Sequence, residues 1–198
     1  MRIPILGGGP LAEPLAHLAE RAGHKVWRVQ EPAAQSDWCE VSDMVILAGS
    51  RAAVEPVLSS IASSIAQDVI IVDASIPTQR DDRSDRDERI ASGPGWITTM
   101  VPRARVVRAF ASVPAEALVA VLARSTLDAG DRLAVPVAGD NREAKAVVGR
   151  FMHDIGVEPF DLGALTNAIV LDPGGALWGK ALNQVEMLET VGWLSGDG

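Results

Sequence analysis

The stretch RIPILGGGPLAEPLAHLAERAGHKV, residues 2–26, decides the fold. Ile3 to Leu6 is a short apolar run that ends at Gly7, the pattern of a buried β-strand. Leu11, Leu15, Leu18, Ala19 and Ala22 then recur at helical spacing, and Gly23 follows where a helix-terminating glycine belongs. Between strand and helix, GGGPLA fits G-x-G-x-x-A through Gly7, Gly9 and Ala12. In such a turn Gly7 permits the tight reversal and Gly9 lets a pyrophosphate approach the main chain. Ala12 is small enough for the helix to lie close on the sheet. The uncapped N–H groups of the helix start then face the phosphates. Gly7, Gly9, Pro10, Leu11 and Ala12 are therefore the candidate pyrophosphate residues.

Three prolines test this reading. Pro10 falls where the N–H has no helical partner anyway, and Pro14 deletes at most one early helical bond. Pro4 is harder to place. The first strand of such a sheet is central, and a proline there removes a ladder bond, so a locally distorted strand is expected.

Working outward, residues 25–29 alternate weakly as a second strand, and DMVIL (43–47) is a compact third. Val54, Val57, Leu58, Ile61 and Ile65 form one face of a helix, and DVIIVDAS (68–75) reads as a strand buried on both faces. Residues 78–89, TQRDDRSDRDER, are mixed charge without apolar period and read as a solvated connection. RVVRAFASV (105–113) and RLAVPVAG (132–139) are further strands. PAEALVAVLARS (114–125) reads as a helix or a loop, NREAKAVVGRFMHDIG (141–156) as a helix, and residues 163–194 as helical except at DPGG. Alternating strands and helices in 198 residues predict an α/β chain. Its expected form is a Rossmann-type, doubly wound, mainly parallel sheet with helices on both faces. One dinucleotide-binding domain over 1–198 is expected, with a C-terminal helical segment at 164–198.

Composition narrows the partners. The formal charge of −8 disfavours nucleic acid, whose phosphates want a basic face. No apolar run approaches the roughly 18 residues of a membrane span, and no secretory leader pattern is present. With Cys39 as the single cysteine, no internal disulfide forms and a reducing, cytoplasmic setting is expected. His17, His24 and His153 are unclustered and expected at the surface, and neither a metal-ligand spacing nor a catalytic acid, base or nucleophile motif occurs.

The segments ILGGGPLAEPLA, AGHKV, SDMVILAGSRAAVEPVL, VIIVDASIP, ARVVRAFASVPAEAL and AGDNREAKAVVGRFMHDIGVEPFDLGAL together resemble the coenzyme F420-dependent NADP oxidoreductase family, whose fold also forms the reductase domain of the STEAP metalloreductases. The resemblance spans nearly the whole chain, and the later segments carry most of its specificity. It implies NADP or NAD as cofactor and hydride passage between nicotinamide and a second flat acceptor, coenzyme F420 or another flavin-like molecule. The cofactors carry that chemistry, and the protein orients them.

The chain also departs from that family. At the end of the second strand the family carries a Ser-Arg type pair whose basic residue holds the 2′-phosphate of NADP; here Gln30 and Glu31 stand there. A carboxylate repels a phosphate but accepts from ribose hydroxyls, so Glu31 either favours NAD or is simply solvated. Arg28 or Arg51 is the alternative phosphate partner, and Arg28, Gln30 and Glu31 are assigned to the adenosine ribose. Gly49-Ser50-Arg51 replaces a bulkier Val-Pro-aromatic turn, Ile76-Pro77 stands where an Asn-Pro is usual, and Ala111 replaces an asparagine. Ala48, Gly49, Ser50, Ser75, Ile76 and Pro77 are expected under the nicotinamide, with Ala111 and Ser112 across the cleft, which is reshaped enough that its acceptor need not be F420. The tail, with Leu177, Trp178, Leu182, Val185, Leu188 and Trp193, is expected to pack as core or as a homodimer surface. Two other readings stay open: a dehydrogenase or reductase of a small carbonyl or imine, and a catalytically silent nucleotide-binding or partner protein.

Overall fold

The computed structural model describes residues 1–31, 38–66, 68–77, 95–124 and 131–195, without the side chains of 193–195. The charged stretch 78–89 and the side chain of Trp193 lie outside the described residues. In chain order the elements are β1 (Arg2–Leu6), α1 (Ala12–Arg21), β2 (Lys25–Val29), β3 (Met44–Leu47), α2 (Arg51–Ile61) and β4 (Ile70–Asp73). There follow α3 (Gly95–Met100), β5 (Arg105–Ala109), α4 (Ala115–Ala123), β6 (Ala134–Ala138), α5 (Arg142–Asp154), β7 (Glu158–Asp161), a 3-10 helix (Leu165–Leu171) and α6 (Gln184–Ser195). The strands form one sheet in the order β2-β1-β3-β4-β5-β6-β7, parallel except between β5 and β6. This is the Rossmann-type α/β fold the sequence predicts.

Two apolar layers sandwich the sheet because successive side chains of a buried strand point to opposite faces. Ile3, Ile5, Met44, Ile46, Ile70 and Val72 meet α1, α4 and α5 on one face. Leu6, Val45, Leu47 and Ile71 meet α2 and α3 on the other. Leu15 and Leu18 of α1 are fully buried, each contributing about 2 kcal/mol. A third, smaller layer packs Ala168, Leu171, Leu177 and Met187 of the C-terminal region on Ala134 and Ala138 of β6. Cys39, the single cysteine, sits in a turn between β2 and β3 and is buried in the second layer.

Pro4 does not break β1, which is continuous from Arg2 to Leu6. Arg2 and Leu6 turn their carbonyls toward β3, accepting from Asp43 at 3.0 Å and Ala48 at 2.8 Å. Pro4 has the same parity, so its missing N–H falls on the β3 side, where the register begins only at Ile5↔Ile46. The cost is a shortened ladder, and the Asp43 carboxylate takes the Arg2 N–H at 2.7 Å at its margin. Pro14 is the third residue of α1, among the first amides that have no helical partner, so it costs no bond. Gly23 has φ +83° at the end of α1, as its position predicts.

Three features depart from the sequence reading. β7 and α3 were not legible, being four and six residues long. The tail is not one interrupted helix: between the 3-10 helix and α6 it runs through turns, and Leu182 bridges to Ala134. His24 is buried rather than superficial, its side chain 7% exposed.

Candidate dinucleotide site

The chain crosses from β2, on one side of β1, to β3 on the other. The carboxyl ends of β1 and β3 therefore flank a topological switch point, where open α/β sheets bind ligands. The glycine turn sits there. Gly7 has φ +102° and donates its N–H to the Val29 carbonyl at 2.8 Å. A Cβ on Gly7 would lie 2.6 Å from the Ala48 carbonyl oxygen, and one on Gly9 would lie 2.7 Å from the Gly49 Cα. Both glycines are thus required by the approach of this turn to the end of β3.

Gly8 differs: it is exposed, and a Cβ there would meet only the Gln30 side chain, at 3.4 Å. The N–H groups of Gly9 and Ala12 are used internally, by Ala48 at 3.2 Å and by Gly9 at 2.9 Å, and Pro10 has none. Those of Gly8 and Leu11 have no acceptor among the described residues. The start of α1 has no side-chain cap. Two free amides at an uncapped helix start, with the chain held side-chain-free beside them, fit a pyrophosphate. Ala12 is buried in the layer between α1 and the sheet.

At the end of β2, where the sequence reading expects the adenosine ribose, Gln30 lies beside Gly8 and Glu31 is exposed. The Arg28 guanidinium donates to two carboxylates of α1, to Glu20 at 2.6 and 3.0 Å and to Glu13 at 3.2 Å. The pairing raises the Arg28 pKa and lowers that of Glu20. The guanidinium is forked on Glu20 and singly bonded to Glu13, in charge-assisted contacts that remain partly solvated. Arg51 opens α2, 3.4 Å from Glu55 and with its guanidinium over the Trp96 ring at 5.2 Å.

On the far side of the switch point, Ala48, Gly49 and Ser50 after β3 and Ser75, Ile76 and Pro77 after β4 are laced together. Ile76 donates to the Gly49 carbonyl at 2.9 Å, and Arg51 to the Ile76 carbonyl at 3.0 Å. Ala111 and Ser112 after β5 are buried. They follow Phe110, whose φ of +65° is unusual for a bulky residue and is maintained by its full burial and by the Val113 N–H on its carbonyl at 3.0 Å. Beneath these turns lies a group the sequence reading missed: Asp73 in β4, Arg108 in β5 and Asp172 after the 3-10 helix, joined in one ion-paired cluster. A charged residue among the apolar positions of each of two buried strands, Asp73 in VIIVDAS and Arg108 in RVVRAF, is the signal that could have found the first two. Nothing local marks Asp172. Among the described residues, no three His, Cys, Asp or Glu side chains are grouped to hold a metal ion, and no helix is long and apolar enough to cross a membrane.

A glycine-turned switch point of this geometry belongs to the Rossmann class of dinucleotide folds. Among solved structures, the chain is similar to a hypothetical protein of Sinorhizobium meliloti, at 22% identity and a TM-score of 0.66 over 93% of this chain and 96% of that one. It is similar to a provisionally assigned F420-dependent NADP reductase of Arthrobacter sp. FB24, at 21% identity and a TM-score of 0.69 over 93% and 100% of the two chains. An imine reductase of Bacillus cereus shares 13% identity and a TM-score of 0.57, with 98% of this chain covering 62% of that one. The likeness is one of fold. No protein-family model matches the sequence, and comparison with curated proteins finds no match.

Proposed function

We propose that this protein is an NAD(P)-dependent oxidoreductase that passes hydride between nicotinamide and a second flat acceptor of the deazaflavin or flavin class. The observation that carries the reading is the cradle at Gly7–Gly9, where the free N–H groups of Gly8 and Leu11 stand at an uncapped helix start. The bound nicotinamide would supply the hydride chemistry. The chain's own part is to hold the diphosphate on those amides and the ribose beside Gln30 and Glu31. The turns at 48–50, 75–77 and 111–112 would form the floor of the cleft. The structural likeness to the Arthrobacter protein, over 93% of this chain, supports the nicotinamide-dependent reading, and the acceptor class is proposed by analogy with that protein's own description.

The preference between nucleotides follows from charge. Arg28 is held by two carboxylates and Glu31 stands exposed at the strand end, so NADH is expected to bind at least as tightly as NADPH. Titration of each nucleotide against the fluorescence of the five tryptophans, in a chain without tyrosine, measures this directly. Turnover with deazaflavin, flavin or quinone then tests the acceptor. Tight binding without turnover favours a silent nucleotide-binding protein, and absence of binding to either nucleotide overturns the oxidoreductase reading. A homodimer belongs to the same proposal: Val185 and Leu188 of α6 are 61% and 60% exposed, and Ile169 is 59% exposed, an apolar surface suited to a second copy.

A further inference from the structure

The cluster of Asp73, Arg108 and Asp172 belongs to neither the glycine turn nor the adenosine side. Arg108 is 3% exposed and donates to the Asp73 carboxylate at 2.6 Å, to the Ser75 carbonyl at 3.1 Å and to Asp172. Asp73, fully buried, accepts on its other oxygen from the Ser75 N–H at 3.0 Å and from the Ser75 hydroxyl. The N–H, the carbonyl and the hydroxyl of Ser75 are thus all tied to one ion pair. Burial alone would lower the Arg108 pKa, but the two carboxylates outweigh it and raise it.

Asp172 reaches Arg108 from the C-terminal region, just after the 3-10 helix. It heads a segment that also donates the Gly179 N–H to the Ser112 carbonyl at 2.9 Å, and whose Leu182 carbonyl accepts from Ala134 at 2.7 Å. One guanidinium therefore joins the turn after β4, strand β5 and the C-terminal segment. Apolar side chains of similar volume would hold such a junction as stably. What a guanidinium adds is a planar fork of donors that sets the spacing and angle of the groups it joins.

We propose that Arg108, latched between Asp73 and Asp172, is a positioning residue for the nicotinamide half of the cofactor site. It acts through Ser75 and through the C-terminal segment, and leaves the adenosine half on the other side of the switch point untouched. The inference rests on the dinucleotide reading above, and the test separates the two.

Asp172→Asn removes one charge at a partly exposed position without changing shape, and Arg108→Lys keeps the charge but loses the fork. Tryptophan fluorescence titrations of the whole chain with NADH and NADPH are compared with titrations using ADP-ribose, which lacks the nicotinamide, while thermal unfolding monitors the fold. Both variants are expected to weaken the intact dinucleotides by roughly tenfold, the scale of one lost charged hydrogen bond, and to leave ADP-ribose affinity unchanged. Equal weakening of both ligand types, or of neither, overturns the positioning role. If Arg108→Lys does not fold, Asp172→Asn decides alone. Failure of every ligand to bind the unaltered protein removes the dinucleotide reading instead, and this inference with it.

Discussion

At the residue scale, adjacent glycines of one turn carry different burdens. Gly9 is crowded by backbone, with 2.7 Å between its would-be Cβ and the Gly49 Cα, and main chain cannot step aside as a flexible side chain can. Gly9→Val is therefore expected to cost about 1–3 kcal/mol of fold stability along with nucleotide binding. Gly8 faces outward with only the Gln30 amide nearby. Gly8→Val should leave the melting temperature within a few degrees of the parent while reducing dinucleotide affinity, because the added side chain stands where a diphosphate would lie. Fluorescence titration and thermal unfolding of the two variants make the comparison, and unchanged affinity in Gly8→Val would remove this turn as the binding surface. Arg28→Ala is expected to lower stability by less than about 1 kcal/mol, since its ion pairs are partly solvated. The ratio of NADH to NADPH affinity should stay as it was, which the same titrations read.

At the scale of elements, the connection from α1 to β2 is locked onto α5 by His24. Its ring lies 5.5 Å from that of Phe151, and its Nε2 is 3.4 Å from Asp154 without making a hydrogen bond. Burial pushes the imidazole pKa below its ordinary value, an effect only partly offset by Asp154. The unfolded chain, with His24 in water, binds the proton more readily. This source of stability is present above an ordinary histidine pKa of about 6.5 and is lost as pH falls toward the depressed folded value. Thermal unfolding from pH 8 down to about pH 5 should show a decline that is smaller in His24→Gln. An identical pH profile in the two proteins would show that the ring is not the titrating group. Asp154 keeps the variant's amide within polar reach, so the comparison does not depend on opening a large cavity.

At the scale of the whole molecule, helices cover both faces of the sheet, and the C-terminal region closes it unevenly. Met187 of α6 and Leu177 in the turns before it are 1% exposed and pack on β6, while Val185 and Leu188 of α6 remain open. A helix that buries one side and exposes large apolar groups on another suits a second copy in the proposed dimer. Light scattering is expected to give a dimer mass that falls to the monomer value in Val185→Glu/Leu188→Glu, with melting little changed at low concentration. A monomer mass for the parent across a wide concentration range would end that proposal.

Much of this molecule was legible in residues 2–75, where strands, helix and turns follow periods and punctuation that need no tertiary knowledge. Ile3–Leu6, the spacing of Leu11, Leu15 and Leu18, and glycines whose positive φ or close backbone approach excludes a Cβ belong to that part. Local steric rules act over a few residues, so a sequence displays them openly. The reversed direction of β6, the burial of His24 and the pairing of Arg28 with α1 were settled only by the assembled chain. So was the meeting of Asp73, Arg108 and Asp172, which stand 35 and 64 residues apart. A side chain with several possible partners takes those that the packing of distant elements brings within reach, and no period in the sequence records that choice.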